Sequence, residues 1–326
     1  NGWRIGCNLG RRRMSFMKKL KTKTPAPSGS KGSQVWKRMY RSRYLYLLFA
    51  LPLLYFIVFK YGAMGWLSIA FFDYNAFLGF AGSKFIGLKY FKQFIMDPYF
   101  WNILKNTIVL NIWMLILYFP TPIILALLIN EVKGHYFKKA AQTISYMPYF
   151  LSTVVVCGFI TTILSNEGLV NQVLEAVGIG KIQFLMEPGW FRPVYVISEI
   201  WQHCGWGSII YLAALAGVDS QLYEAASIDG ASKWKQLLHV SLPGIAPVIS
   251  IQLLLTVGKL LTVGYEKILL LYTGATYETA DVISTYVYRR GLMEANYSYG
   301  SAVSIFQAVV ALVLVVSANK AARKVG

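Results

Sequence analysis

The polar side chains that interrupt the long apolar runs of this sequence are few, and their types limit the chemistry they can do. Glu199, Gln202 and His203 fall in one run, Gln252 and Lys259 in another. A charge at the centre of a bilayer costs roughly 2.5 to 3.5 kcal/mol on insertion scales, so such groups usually face a bundle interior or an aqueous path. Glu199 lies about two helical turns from the outer end of its run, and a position at headgroup level accounts for it equally well. The catalytic alternatives lack their residues. His135, His203 and His239 stand on separate segments with no i, i+4 partner and no nearby cysteine pair, so no zinc site is expected. Gly180-Lys181 and Gly258-Lys259 lack both the preceding glycine and the hydroxyl residue of a phosphate loop, so the chain is not expected to hydrolyse ATP. The absence of G-x-S-x-G weakens an intramembrane serine hydrolase. The expectation is a non-enzymatic chain that binds no cofactor or metal.

The elements that position these groups follow from composition. Hydrophobic residues make up 56% of the 326 residues, charged ones 14%, and the mean hydropathy is +0.48. Soluble domains carry roughly 25% charged residues, so one integral membrane domain fits better than two soluble ones. The net charge of +18 is concentrated at one end: residues 1–43 hold thirteen Lys/Arg and no acid, and the remainder carries +5. A basic tail ahead of a first apolar segment reads as cytoplasmic retention rather than as a nucleic-acid arm. That segment has no short cleavable core, and reads as an uncleaved signal-anchor, with Met14 a candidate initiator. Cys7, Cys157 and Cys204 form no disulfide or metal pattern.

Six segments approach or exceed the roughly 20 residues a spanning helix needs: 44–66, 103–130, 141–165, 193–217, 244–265 and 299–319. Kinks are expected at Pro120, Pro122 and Pro148. With the N-terminus inside, segments 1–43, 131–140, 218–243 and 320–326 hold 21 of the 32 Lys/Arg, in accord with the positive-inside rule. Both termini are therefore expected to be cytoplasmic. The fold class predicted is an all-α integral membrane protein, with a basic tail (1–43) and a transmembrane domain (44–326). Outside, "FIGLKYFKQFIMDPYFW" (85–101) alternates at helical spacing, and its aromatics suit an interfacial belt.

Between the fourth and fifth spans lies a polar loop, about 219–243. Asp219 or Ser220 can cap a first helix, whose apolar side is Leu222, Ala225, Ala226 and Ile228, and Asp229-Gly230 can end it. Ser232 can cap a second helix carrying Trp234, Leu237 and Leu238, closed by Pro243. The physics supports two readings: a helix-turn-helix bracket that takes force from a cytoplasmic partner, or an amphipathic loop lying on the inner membrane surface.

"EAASIDGASKWKQLLHVSLPGIAP" (224–247) resembles the EAA loop of permease subunits of binding-protein-dependent ABC importers. Glu224-Ala225-Ala226 is followed after three residues by Gly230, then after nine by Val240-Ser241-Leu242-Pro243, with Val240 a mild departure from the family's isoleucine. "FIGLKYF", "FWNILKNT", "YTGATYETADVISTYVYRRGL" and "YSYGSAVSIFQ" are similar to carbohydrate-importer permeases related to the maltose membrane subunits. Among these, the complex-oligosaccharide branch, including permeases for alginate or pectic oligosaccharides, is the most similar. The resemblance covers residues 34–326.

The resemblance implies a pore subunit in a bacterial cytoplasmic (inner) membrane, paired with a second, similar permease in a heterodimer. It also implies two copies of a cytoplasmic ATPase holding the ATP and magnesium, an external solute-binding protein, and an oligosaccharide cargo. The coupling set would be Glu224, Ala225, Ala226, Asp229, Gly230, Ala231, Trp234, Leu242 and Pro243. Candidate substrate-path residues are Asn111, Trp113, Trp201, Gln202, Trp206, Gln252 and Tyr265. Lys259, Arg289 and Arg290 are candidates to attract carboxylates of an acidic sugar, and the two arginines could equally dock the binding protein or lipid headgroups. The competing classes are a stand-alone secondary transporter or channel, which needs intramembrane carboxylates beyond Glu199, and a membrane-embedded enzyme.

Overall fold

The computed structural model describes residues 40–258 and 264–325. Most of the basic tail, Cys7, Met14 and Lys259 lie outside the described residues. The chain divides into two units, 1–66 and 67–326.

In the first unit α1 (Arg43–Tyr55) passes through a widened turn (56–61) into α2 (Gly62–Trp66). Every side chain from 43 to 66 is exposed, as expected of an apolar helix whose solvent is lipid.

The second unit begins with a 3-10 turn (67–71) and a hairpin, β1 (Phe72–Asn75) and β2 (Gly79–Phe85), paired antiparallel with Phe72 opposite Phe85. The fold is therefore mostly helical rather than all-α. The strands form where the chain turns back outside the spans and can pair locally. Then come α3 (Lys89–Ile95), α4 (Phe100–Trp113), α5 (Pro120–Glu131), α6 (His135–Tyr146), α7 (Thr153–Leu164), α8 (Leu169–Ala176) and α9 (Pro188–Leu215). They are followed by α10 (Ser220–Ile228), α11 (Lys233–Gln236), α12 (Leu242–Val257), α13 (Tyr265–Leu271), α14 (Tyr277–Ala280), α15 (Ile283–Val287) and α16 (Tyr297–Val325).

Among the described residues, five helical runs are long and apolar enough to cross a membrane: Arg43–Phe71, Phe100–Glu131, Thr153–Ala176, Lys233–Val257 and Tyr297–Ser317. α9 has the length but carries Arg192, Glu199, Gln202 and His203, which lower its hydropathy. Two expected spans shift. The third cannot run from 141, because α6 gives way at Met147–Phe150 to a 3-10 turn around Pro148, and α7 restarts after Ser152, whose hydroxyl accepts from Val155 N. Proline lacks the N–H that would continue α6. The fifth starts eleven residues early, at Lys233, and Tyr265 belongs to α13 instead.

Pro120 and Pro243 break nothing. Each is preceded by a π turn, Met114–Tyr118 and Leu237–Ser241, in which Phe119 N bonds Met114 O and Leu242 N bonds Leu237 O. The extra residue per turn relieves the clash between the proline ring and the carbonyl four residues back. The second helix of the polar loop is therefore not closed by Pro243: α11, the π turn and α12 form one continuous helix.

Among the described residues the core is in three clusters. One gathers Tyr90, Phe94, Phe100, Ile103, Tyr286 and Tyr299, which corrects the expectation of an interfacial belt: Tyr90, Phe94 and Phe100 are buried, whereas Tyr99 and Trp101 are exposed. A second packs Leu110, Cys157, Tyr195 and Ile268, and a third packs Ile123, Leu127, Tyr211 and Ile245.

Candidate functional site

The polar loop is built by its caps. Asp219 accepts a hydrogen bond from Gln221 N at 2.9 Å and starts α10. At the other end Gly230 takes φ +72°, Ala231 N bonds Ala226 O at 2.9 Å and Gly230 N bonds Ser227 O at 3.1 Å. This paired closure ends a helix with a glycine in the left-handed region, where other residues are strained. Ser232 then caps α11 by accepting from Lys235 N at 3.4 Å. Glu224, Ala225 and Asp229 are exposed, Ala226 and Ala231 half-buried, and Ile228 is 87% exposed. The apolar side of α10 thus faces outward, and Trp234 is exposed as well. Leu242 is half-buried and Pro243 exposed. Both line an apolar groove of about 620 Å³ with Trp234, Leu237, Ile123 and Leu127.

Sequence reasoning missed the side chains that brace this loop. Gln236 is buried and donates to Ser227 Oγ and Ala231 O, Tyr223 OH meets Ser241 Oγ at 2.9 Å, and Lys233 pairs with Glu131 of α5 at 3.6 Å. Nothing in the residue types marks Gln236 as inward; its burial depends on α10 folding over it.

A cavity of about 750 Å³ opens between α9, α12 and the Met114–Glu131 region, lined by Tyr118, Phe119, Pro122, Trp206, Gly207, Tyr211, Gln252 and Thr256. Two sequence candidates, Trp206 and Gln252, come together here. Tyr149 stacks on Trp206 with ring centroids 4.5 Å apart and planes 4° off parallel, and Phe150 meets it edge-on. Such a surface, with neutral amide and hydroxyl groups around it, can stack a sugar ring and hydrogen-bond its hydroxyls.

The other candidates lie elsewhere. Trp201 is five residues from Trp206, about 140° around the helix. It packs against Phe159 in an apolar groove with Trp190 and Phe184. Gln202 is buried and bonds Leu151 O at 3.2 Å. Asn111 Nδ2 donates to Thr107 O at 2.6 Å within its own helix, and Trp113 is exposed. Tyr265 stacks on Tyr288.

Glu199 is neither exposed nor alone. Lys267 Nζ of α13, its side chain 5% exposed, forms an ion pair with Glu199 Oε1 at 2.5 Å. His203 Nδ1 is 3.3 Å from Oε2. Glu199 is thus held in an ion pair between α9 and α13. Lys267 was missed because it falls beyond the apolar run, in a segment that reads as external.

Arg289 and Arg290 border a polar cavity of about 610 Å³ with Tyr99, Asn102, Tyr277, Glu278, Asp281 and Glu294. Arg289 bonds Asp281 at 2.6 Å and lies over the Tyr277 ring at 5.0 Å; Arg290 bonds Glu294 at 2.9 Å. Burial would lower the Arg289 pKa, but the Asp281 carboxylate outweighs it and the pKa is raised. Both cations are already matched by acids of this chain.

The fold and these sites define a multi-pass membrane permease, and the chain belongs to the family of binding-protein-dependent transport system inner membrane components, matched over residues 118–324. It is 44% identical over 290 residues to the polygalacturonan/rhamnogalacturonan transport system permease protein YteP of Bacillus subtilis (strain 168), covering 89% of this chain and 90% of that protein. Protein LplB of the same organism is 40% identical over 305 residues, covering 93% and 96%. Among solved structures, a bacterial ABC transporter involved in the import of the acidic polysaccharide alginate matches with TM-score 0.81 and 42% identity over 89% of this chain and 99% of that one. The bacterial alginate ABC transporter in complex with an alginate pentasaccharide-bound periplasmic protein matches with TM-score 0.81 and 42% identity, over 90% and 98%.

Proposed function

We propose that this chain is the permease subunit of an ATP-driven importer that takes up acidic oligosaccharides handed over by an external solute-binding protein. The observation that carries the reading is an exposed, capped helix bearing Glu224-Ala225-Ala226 and closed by Gly230, in a chain that matches importer permeases over about nine-tenths of its length. A uronate cargo is favoured by relatives whose names specify polygalacturonan and alginate.

In this reading α9 is the fourth of six spans: 28 residues rising 1.5 Å each make about 42 Å. Glu199 pairs with Lys267, Arg192 donates to Asn106 and Gln202 donates to Leu151 O, which offsets part of the cost of placing such groups within a membrane. Both termini and the 219–243 loop are cytoplasmic, with 1–43 the tail and 44–326 the transmembrane domain. A second permease completes the pore, and two ATPase subunits supply ATP and magnesium. α10 seats on one of them, with Glu224 as a charged contact, Ala225 and Ala226 allowing close approach and Trp234 beside the seat. Closure of the ATPase dimer turns the pore outward, and the sugar crosses by Trp206 and Gln252. Arg289 and Arg290, being paired, hold the outer surface together more than they read charge.

The test is reconstitution of the purified complex with its binding protein and a panel of neutral and uronate oligosaccharides. Copurification of an ATPase and hydrolysis stimulated by uronate-loaded binding protein are expected. A chain that purifies without an ATPase and transports alone would refute the reading.

A further inference from the structure

Gln236 is only 4% exposed, although it sits in the first turn of a helix at the end of a cytoplasmic-type loop. Its Nε2 donates to Ser227 Oγ at 2.9 Å and to Ala231 O at 3.2 Å, and Lys233 Nζ donates to its Oε1 at 3.4 Å. Ser227 Oγ in turn donates to Tyr223 O at 2.7 Å. Further along the helix, Tyr223 OH meets Ser241 Oγ at 2.9 Å, and Ser241 is 1% exposed. Both contacts run from α10 to the continuous helix Lys233–Val257. Toward α9, α10 has the tight turn 216–219, and even there Val218 leans the same way: a Cβ on Gly244 would lie 2.8 Å from Val218 Cγ2.

The two contact points bracket the π turn Leu237–Ser241. A π turn interrupts the regular i→i−4 ladder and is where a helix bends most readily. Without a brace across it, a push on α10 would be absorbed as bending at 237–241. With Gln236 held on one side and Ser241 on the other, the push reaches α12, which carries Gln252 and Thr256 in the wall of the cavity that Trp206 of α9 also lines.

We propose that Gln236 and Tyr223 are positioning residues that clamp α10 across the π turn onto the helical run Lys233–Val257, so that displacement of α10 moves the Gln252–Thr256 wall against Trp206. The inference rests on the reading of α10 as the ATPase-docking helix.

The test uses the full complex in liposomes with uronate-loaded binding protein, and reads sugar taken up per ATP hydrolysed. In Gln236→Leu/Tyr223→Phe, hydrolysis stays within about twofold of wild type while uptake per ATP falls at least about fivefold, the scale of one lost hydrogen bond. A merely structural role would lower the yield of complex and leave that ratio unchanged once complex is assembled. If this double variant fails to assemble, Ser227→Ala/Ser241→Ala, which removes the hydroxyl partners with little change in volume, carries the same expectation. An unchanged ratio in an assembled variant, or a parallel fall of uptake and hydrolysis, overturns the clamp. Wild-type chain that copurifies with no ATPase would instead overturn the docking reading beneath it.

Discussion

The ion pair between Glu199 and Lys267 is a place where a single substitution should have an effect that a second one reverses. The Lys267 side chain is 5% exposed and that of Glu199 16%, with 2.5 Å between them. Removing one partner of a buried pair leaves an uncompensated charge and costs about 3 to 5 kcal/mol, whereas replacing both with uncharged groups of similar size is near neutral or stabilising. In Lys267→Met, Glu199 keeps His203 at 3.3 Å as its remaining neighbour, so the lower end, about 3 kcal/mol, is expected. At roughly 2 °C or more per kcal/mol for a chain this large, thermal denaturation of the purified complex, followed by size-exclusion of heated samples, should fall by about 6 °C. Glu199→Gln/Lys267→Met should recover most of that loss. If the double variant is no more stable than Lys267→Met alone, the two groups are not coupled and the reasoning fails.

Three other outcomes follow from the geometry. Trp206→Ala and Gln252→Ala should each raise the apparent KM for oligosaccharide uptake by about fivefold, on the scale of one stacking or hydrogen-bonding contact. Trp201→Ala, on the other face of α9, should leave it unchanged, and equal effects at 201 and 206 would remove the cavity from the path. Glu224→Lys and Gly230→Pro should uncouple ATP hydrolysis from uptake while the chain still inserts; wild-type uptake in both would contradict a coupling role for α10. Tyr90 has its pKa pushed up to about 12 by burial, by its hydrogen bond to Asp73 and by the Asp73 charge. The folded state therefore keeps a proton that the unfolded state loses near pH 10, so this contribution is complete below pH 10 and is lost as pH rises toward about 12. Tyr90→Phe should flatten that part of the stability profile, measured by thermal unfolding at a series of pH values.

Local signals were read correctly where the chain itself supplies both partners. Asp219, Ser232 and Gly230 cap and turn the loop as their types require, because a cap bonds a backbone N–H two or three residues away. Apolar length marked the spanning runs because a bilayer demands it of each helix separately. Pro243 misled: whether a proline ends a helix or is absorbed by a π turn depends on what holds the helix on either side, here α10 and the packing of Ile245 in the core.

Composition and motif alone thus determined a multi-pass membrane protein with a capped two-helix loop, since insertion and capping are short-range demands. Only the tertiary structure decided that Trp206 and Gln252 share a cavity and Trp201 does not, that Glu199 finds Lys267 and that Gln236 clamps the loop. Each of these joins residues on different helices, or separates neighbours by helix rotation. The pairings between helices are set by how helices pack, which no periodicity within one helix encodes.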